Sequence, residues 1–336
     1  MNEEIGNFWN QTNVLVTGGS GFIGSHVVET LLDAGANVSL TTSTRKIDPI
    51  RADPVNYDGR ARVVRVDLTR VEDCKQVCRD QEIIISAAHV DGSAAYKQAH
   101  PASIFHENML MTLNLLEAAR FADVKRLLIL SSAEVYPPDA KVPTEESESL
   151  AGITGLQSDG YAWSKRMSEF SAQSYAREYG LKIAIARPNN VYGPRDHFDQ
   201  TRIRIIPAMI MKAIESNESL PIWGNGEQVR SFLYVKDLAK GLVHLIDKLP
   251  EPDAVNFAGD EEITIRQLAE LILQLMGKTA KITLDAGKPS GPQRRVLDIS
   301  RAKEELGWVP TTTLRSGLQS TIEFYREFYK PNLMVE

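Results

Sequence analysis

The chain is short of several things, and each shortage removes a class of function. Only Cys74 and Cys78 are cysteines among 336 residues. Two thiols four apart on a helix-like stretch form no disulfide framework; they read as reduced and structural. No apolar run approaches the roughly 20 residues a membrane-crossing helix needs. Met1 to Asn10 is polar rather than signal-like, so the expectation is a cytoplasmic protein with no membrane partner. No lysine- or arginine-rich block stands out and the formal net charge is -6, which leaves no electrostatic footprint for nucleic acid. Internal repeats and low-complexity segments are absent too. What remains, 43% hydrophobic and 24% charged, is ordinary globular composition at a length that allows two domains.

The stretch from Val14 to Leu32 organises the rest. An apolar run leads into Gly18, Gly21 and Gly24, and Ile23, Val27, Val28, Leu31 and Leu32 then recur at helical spacing. That order reads as buried strand, tight turn and helix. Gly18 permits the turn, Gly21 lets a pyrophosphate approach the backbone, and Gly24 allows close packing, with phosphates on the helix N-terminus. Further strands are expected over 36–42, 62–67, 82–88, 126–132 and 181–187, alternating with helices near 71–79, from Pro101 onward and over 161–178. This alternation predicts an α/β fold, a Rossmann-like doubly wound parallel sheet. Beyond residue 190 the pattern loosens. We therefore expect a dinucleotide-binding domain over 11–190, completed by about 232–258, and a smaller substrate-binding lobe from 191–231 and 259–330.

Tyr161 and Lys165 stand at i and i+4 on one helix face. A phenol with an ordinary pKa near 10 becomes a useful acid/base when a cation and a bound nicotinamide's charge favour its ionised form. Ser131 and Ser132 end an apolar strand, at the carboxyl edge where open α/β sheets bind ligands. A hydroxyl there can hold a reacting oxygen.

These residues carry a family resemblance. Thr17 to Gly24 (Thr-Gly-Gly-Ser-Gly-Phe-Ile-Gly), Ser132, and Tyr161 with Lys165 resemble the extended short-chain dehydrogenase/reductases that act on nucleotide sugars. The likeness runs from about Asn13 to Tyr329. It includes Ser131 to Tyr136, Arg187 to Pro194, Ile222 to Gly226 and Val229 to Asp237. It implies that Tyr161 is the acid/base for hydride transfer at a sugar carbon, usually C4, that Lys165 holds the nicotinamide ribose, and that Ser132 bonds the C4 oxygen. Phe22 and Ile23 belong to its cofactor turn, Asp67 and Leu68 border the adenine, and Ala87 and Ala88 lie along the cofactor. Asn190 and Arg230 would hold the diphosphate of a nucleotide diphosphate sugar, joined by Arg294 or Arg295, with Trp223 near the base. The two long helices would make a homodimer. No metal is implied.

An NAD site usually ends its second strand in a carboxylate. Here Thr42, Ser43 and Arg45 stand instead and suit a 2′-phosphate, so NADP(H) is favoured, with NAD the alternative. The missing Asp before Glu134 argues against a dehydratase. The overall pattern is most like the GDP-L-fucose synthase group, which epimerises and reduces a 4-keto-6-deoxy sugar with NADPH. Its epimerising Cys and His fall on Glu134, which could still act as a catalytic base, and on Arg204, which returns no proton usefully and is expected among the substrate-binding residues; double epimerisation is thereby in question. The expected activity is reduction, or epimerisation with reduction, at C4 of a nucleotide-linked 4-keto sugar. The alternatives are an NAD-retaining 4-epimerase or UDP-glucuronate decarboxylase-like enzyme, and a non-catalytic dinucleotide-sensing scaffold.

Overall fold

The computed structural model describes residues 8–43, 59–150, 159–199, 202–215, 218–248, 250–285, 287 and 291–329. The first half runs β1 (Asn13–Thr17), α1 (Phe22–Asp33), β2 (Asn37–Ser43), β3 (Ala61–Val66), α2 (Val71–Cys78), β4 (Ile83–Ser86), α3 (Ala94–Ala99), α4 (Pro101–Phe121), β5 (Arg126–Leu130), α5 (Asp159–Tyr179) and β6 (Lys182–Pro188). The second half continues with β7 (Val191–Tyr192), α6 (Ile205–Glu215), β8 (Ser219–Trp223), β9 (Val229–Ser231), β10 (Leu233–Tyr234), α7 (Val235–Lys248), β11 (Ala254–Phe257), β12 (Glu262–Thr264), α8 (Ile265–Met276), β13 (Lys281–Asp285), β14 (Arg294–Arg295), α9 (Ser300–Leu306) and α10 (Leu314–Phe324).

Seven strands form one parallel sheet in the order β11-β6-β5-β4-β1-β2-β3. Val14, Leu15 and Val16 of β1 are fully buried because helices cover both faces, which is why the strand reads as an unbroken apolar run. Val14 pairs with Val38 of β2 on one side and Ile83 of β4 on the other. The strand order reverses between β1 and β4, and ligands of such sheets bind outside the carboxyl ends at that reversal. One core lies between the sheet and helices α1 and α7; a second lies on the opposite face under α2, α4 and α5.

A third core gathers Tyr192, Phe198, Ile206, Ile210, Leu268, Ile272 and Leu318 from the later elements. Its strands are short: β8 with β13, β12-β9-β14, and β7 with β10. Helix α8 begins with a capping box between Thr264 and Gln267 and ends at Gly277 in the left-handed conformation, so its ends are set by sequence. Among the described residues no helix is long and apolar enough to cross a membrane. Cys74 and Cys78 are buried free thiols, and burial raises the pKa of each to about 12, which makes them inert.

Candidate active site

Between β1 and α1 the chain closes too tightly for side chains at two points. Gly18 sits at φ +65°, and a Cβ there would come within 2.8 Å of Ala88 Cα. A Cβ on Gly24 would lie 2.2 Å from the Gly18 carbonyl oxygen. Gly21 is the N-cap of α1 and brings no side-chain cap to the first-turn N–H groups. Those N–H groups and the helix dipole form an anion site of pyrophosphate type, so the residues present fit a dinucleotide. Phe22 and Ile23 open the helix and are buried. Gly18 N–H donates to Thr41 Oγ1 at 3.0 Å and Ala88 N–H to Thr17 Oγ1 at 3.2 Å, which ties β2, β1 and the exit of β4 around the turn. Ala87 is buried beside them. Thr42 is buried and accepts from the Ser20 hydroxyl at 3.0 Å, while Ser43 is exposed at the strand end. Arg45 lies outside the described residues. Asp67 accepts from the N–H and hydroxyl of Thr69 at 3.0 and 2.7 Å, beside buried Leu68.

Tyr161 and Lys165, on successive turns of α5, both face inward and are 5% and 6% exposed. Lys165 Nζ donates to the Leu130 carbonyl at 2.7 Å and stands 5.6 Å from the Tyr161 ring centroid. Burial brings Lys165 down to about 8 against the opposing pull of Asp91, Glu169 and Glu134. Burial also raises the Tyr161 phenol well above its ordinary range, with Asp91 and Glu134 adding to it; Arg204 and a hydrogen bond with Ser132 pull the other way. The sequence suggested that Lys165 and a bound nicotinamide together would lower this pKa. In the protein by itself burial outweighs the cation, and the phenol is held protonated, ready to give a proton. Ser132 caps the short turn Ala133–Val135, where its Oγ accepts from Glu134 N–H at 3.2 Å.

A wall of alternating charge flanks this pair. Lys97 Nζ lies 2.6 Å from Glu134 Oε1, 3.2 Å from Asp91 Oδ1 and 4.5 Å from the Tyr161 ring centroid. Asp91 Oδ2 in turn accepts from Arg204 Nη2 at 2.7 Å. Burial opposes charge on Asp91, but Lys97 and Arg204 overcome it and hold the carboxyl well below the usual range. Burial likewise disfavours the Lys97 ammonium, yet Glu134 and Asp91 raise its pKa above the ordinary value. Sequence reading missed Asp91 and Lys97. They sit around a six-residue helix with no apolar periodicity, and its one local signal is Ser93, the N-cap that accepts from Tyr96 N–H. Half-buried His89 was missed as well: desolvation lowers it to about 3, so it is neutral at ordinary pH, with Nδ1 3.0 Å from the Ala87 carbonyl and its ring 6.1 Å from that of Tyr161.

The other expected residues lie on the later elements. Asn190 adopts φ +43° between β6 and β7, and its side-chain amide donates to the Ser231 carbonyl at 3.0 Å. Arg230 and Arg295 pair in register on β9 and β14. Burial, with the charge of Arg295, lowers Arg230 to about 10. The neighbouring Arg294 is held by Glu262 in a two-pronged pair at 2.6 and 2.9 Å. Of the two arginines, Arg294 is thus paired with a carboxylate while Arg295 stands in register with Arg230. Trp223 ends β8 half-exposed, with Lys212 Nζ 6.0 Å from its ring.

Residues 14–258 match the family model described as the NAD dependent epimerase/dehydratase family. The chain belongs to that family. It is 34% identical over 322 residues to a dTDP-4-dehydro-6-deoxy-D-allose reductase from Streptomyces sp, covering 95% of this chain and 97% of that one. It is 32% identical over 328 residues to the GDP-L-fucose synthase of Escherichia coli (strain K12), with 94% and 96% covered. Among solved structures, UDP-glucose 4-epimerase from Thermotoga maritima superposes with a TM-score of 0.82 at 29% identity, covering 94% of this chain and 99% of that one. A dTDP-glucose 4,6-dehydratase from Streptomyces venezuelae, solved with NAD, gives 0.82 at 28% identity and 94% and 97% coverage. The family member described here is accordingly an enzyme of nicotinamide-dinucleotide and nucleotide-sugar chemistry.

Proposed function

We propose that the protein is an NADPH-dependent reductase acting at C4 of a nucleotide-linked 4-keto sugar. The observation that carries this reading is the pairing of Tyr161 and Lys165, both buried on one inward face of α5, beside Ser132 at the carboxyl edge of the sheet. A bound reduced nicotinamide supplies the hydride. Tyr161 gives its phenolic proton to the developing C4 alkoxide, Ser132 holds that oxygen, and the Lys165 ammonium stands by the cofactor ribose. Arg230 and Arg295 take the diphosphate, whose charge relieves the repulsion between two neighbouring guanidiniums. Asn190 shapes that subsite and Trp223 faces the base.

The preference for NADPH is supported by a β2 that ends in Thr42 and Ser43, where a carboxylate would repel the 2′-phosphate. Gly18, Gly21 and Gly24 hold the pyrophosphate, and Asp67, Leu68, Ala87 and Ala88 border the rest of the cofactor. Residues 11–190 with about 232–258 are the dinucleotide-binding domain, and 191–231 with 259–330 the substrate lobe. Exposed Phe105, Leu113, Phe121 and Phe170 on α4 and α5 support a homodimer through those helices. The two free thiols support a cytoplasmic location.

The test is oxidation of NADPH, followed at the nicotinamide absorbance, on a panel of dTDP- and GDP-linked 4-keto-6-deoxyhexoses, with NADH in parallel. Stoichiometric NADPH consumption supports the reading. Turnover with no added cofactor would replace it with a 4-epimerase or decarboxylase that recycles bound NAD.

A further inference from the structure

Hydride transfer alone leaves the wall Glu134–Lys97–Asp91–Arg204 unexplained. Inverting a carbon beside the 4-keto group means breaking its C–H bond, moving the electron pair toward O4, and rebuilding the bond from an acid on the opposite face. Such a step needs one free base and one free acid. The wall offers no free acid, and its one carboxylate beside Ser132 is tied through one oxygen to a cation. Asp91 is clamped between two cations, at 3.2 Å from Lys97 Nζ and 2.7 Å from Arg204 Nη2. Arg204 has its pKa raised further by Asp91 and Asp196 against burial, so it gives up no proton. The Lys97 ammonium is shared by two carboxylates and covered by the Tyr161 ring. Glu134 commits Oε1 to Lys97 at 2.6 Å.

One acceptor is left over. Glu134 Oε2 is buried and has no hydrogen-bond partner among the described residues. A buried carboxylate oxygen without a donor is costly, and it marks a place where a ligand's hydroxyl belongs. The same residue's N–H bonds Ser132, so this oxygen stands next to the group assigned to the C4 oxygen.

We propose that this chain reduces C4 without inverting the neighbouring carbons, and that Glu134 determines specificity by accepting a hydrogen bond from a hydroxyl on a carbon adjoining the keto group. The proposal rests on the C4-reductase reading above. Lys97 and Asp91 are then positioning residues: they hold Glu134 as an oriented acceptor and, with Arg204, supply no acid to complete an inversion.

Proton NMR in D2O separates the two levels of the argument. The dTDP- and GDP-linked 4-keto-6-deoxyhexoses, in both C3 configurations, are incubated with the protein first without NADPH and then with it. The C3 and C5 proton signals are expected to persist through both stages, and the alcohol formed keeps the C3 and C5 configuration of its ketone. Glu134→Ala is expected to raise KM for the sugar about 10- to 100-fold, the worth of one hydrogen bond to a charged group, with kcat within a few-fold. Its NADPH affinity, read by nicotinamide fluorescence, stays unchanged and reports on folding. NADPH oxidation accompanied by deuterium entry at C3 or C5, inverted or not, overturns this inference alone; so does an unchanged KM in a folded Glu134→Ala. If no sugar oxidises NADPH, the reductase reading falls and this inference with it.

Discussion

Beneath Ser131 and Ser132, Arg187 and Glu169 form a buried ion pair whose loss has a calculable cost. Arg187 Nε and Nη2 meet the two Glu169 oxygens at 2.9 and 2.7 Å, with side-chain exposures of 5% and 9%. Nη1 also donates to the Tyr136 hydroxyl at 2.9 Å and the Glu146 carbonyl at 2.8 Å, and Nη2 to Ser149 Oγ at 2.9 Å. Arg187→Met keeps the length of the chain and removes every donor. Tyr136 still donates to Asn256 at 2.6 Å and Ser149 to Glu146 at 3.2 Å, so neither hydroxyl is orphaned. Among the described residues Glu169 then keeps only the Ser131 hydroxyl as a hydrogen-bond partner, a buried carboxylate without its paired guanidinium. Breaking a pair in this way costs about 3–5 kcal/mol. The urea midpoint, read by far-ultraviolet circular dichroism, should fall accordingly. The double variant Arg187→Met/Glu169→Leu removes the stranded charge and should be more stable than Arg187→Met alone, because the cycle is not additive for groups in contact. A loss under about 1 kcal/mol, or a double variant weaker than the single one, would refute the reasoning.

Three shorter predictions concern the ligands. Gly24→Ala puts a Cβ 2.2 Å from the Gly18 carbonyl oxygen and must push α1 off the turn; such overpacking costs about 1–3 kcal/mol, so NADPH affinity should fall about 10-fold or more by fluorescence titration. Lys165 titrates at about 8 in the folded chain, below its ordinary 10.5, so it is charged below pH 8 and neutral above. KM for NADPH should therefore rise as pH passes about 8, a step that Lys165→Met should erase. Folding stability should rise between 8 and 10.5, where the unfolded chain binds the extra proton. Arg295→Ala should weaken binding of nucleoside diphosphates about 10- to 100-fold by calorimetry, since one charged hydrogen-bonding partner is lost. Arg294→Ala, whose guanidinium belongs to Glu262, should leave that affinity nearly unchanged.

The sheet was readable because buried parallel strands and their helices leave periodic traces: Val14 to Val16, then Ile23, Val27 and Leu31, state strand and helix outright. The placement of Tyr161 and Lys165 on one helix face, and of Ser132 just past a strand end, was readable from the i, i+4 spacing and from the apolar run before the serine. Asp91 and Lys97 were not readable. They reach Glu134 only through the tertiary fold, 43 and 37 residues away in sequence, from a short helix with no amphipathic pattern. The burial that raises the Tyr161 phenol in the protein by itself was not readable for a related reason. A neighbouring cation is visible in sequence, whereas the desolvation that outweighs it is a property of the packed site. The register that sets Arg295 beside Arg230 was not readable either, because β14 is two residues long and announces itself to no pattern search.

Single-turnover oxidation of NADPH by Tyr161→Phe tests the central claim most directly, with a dTDP- or GDP-linked 4-keto-6-deoxyhexose that the unmodified protein turns over. If the buried phenol supplies the proton to the C4 oxygen, the rate should fall about 10²- to 10⁴-fold, while NADPH affinity stays where it was. An undiminished rate in the Phe variant would contradict the account.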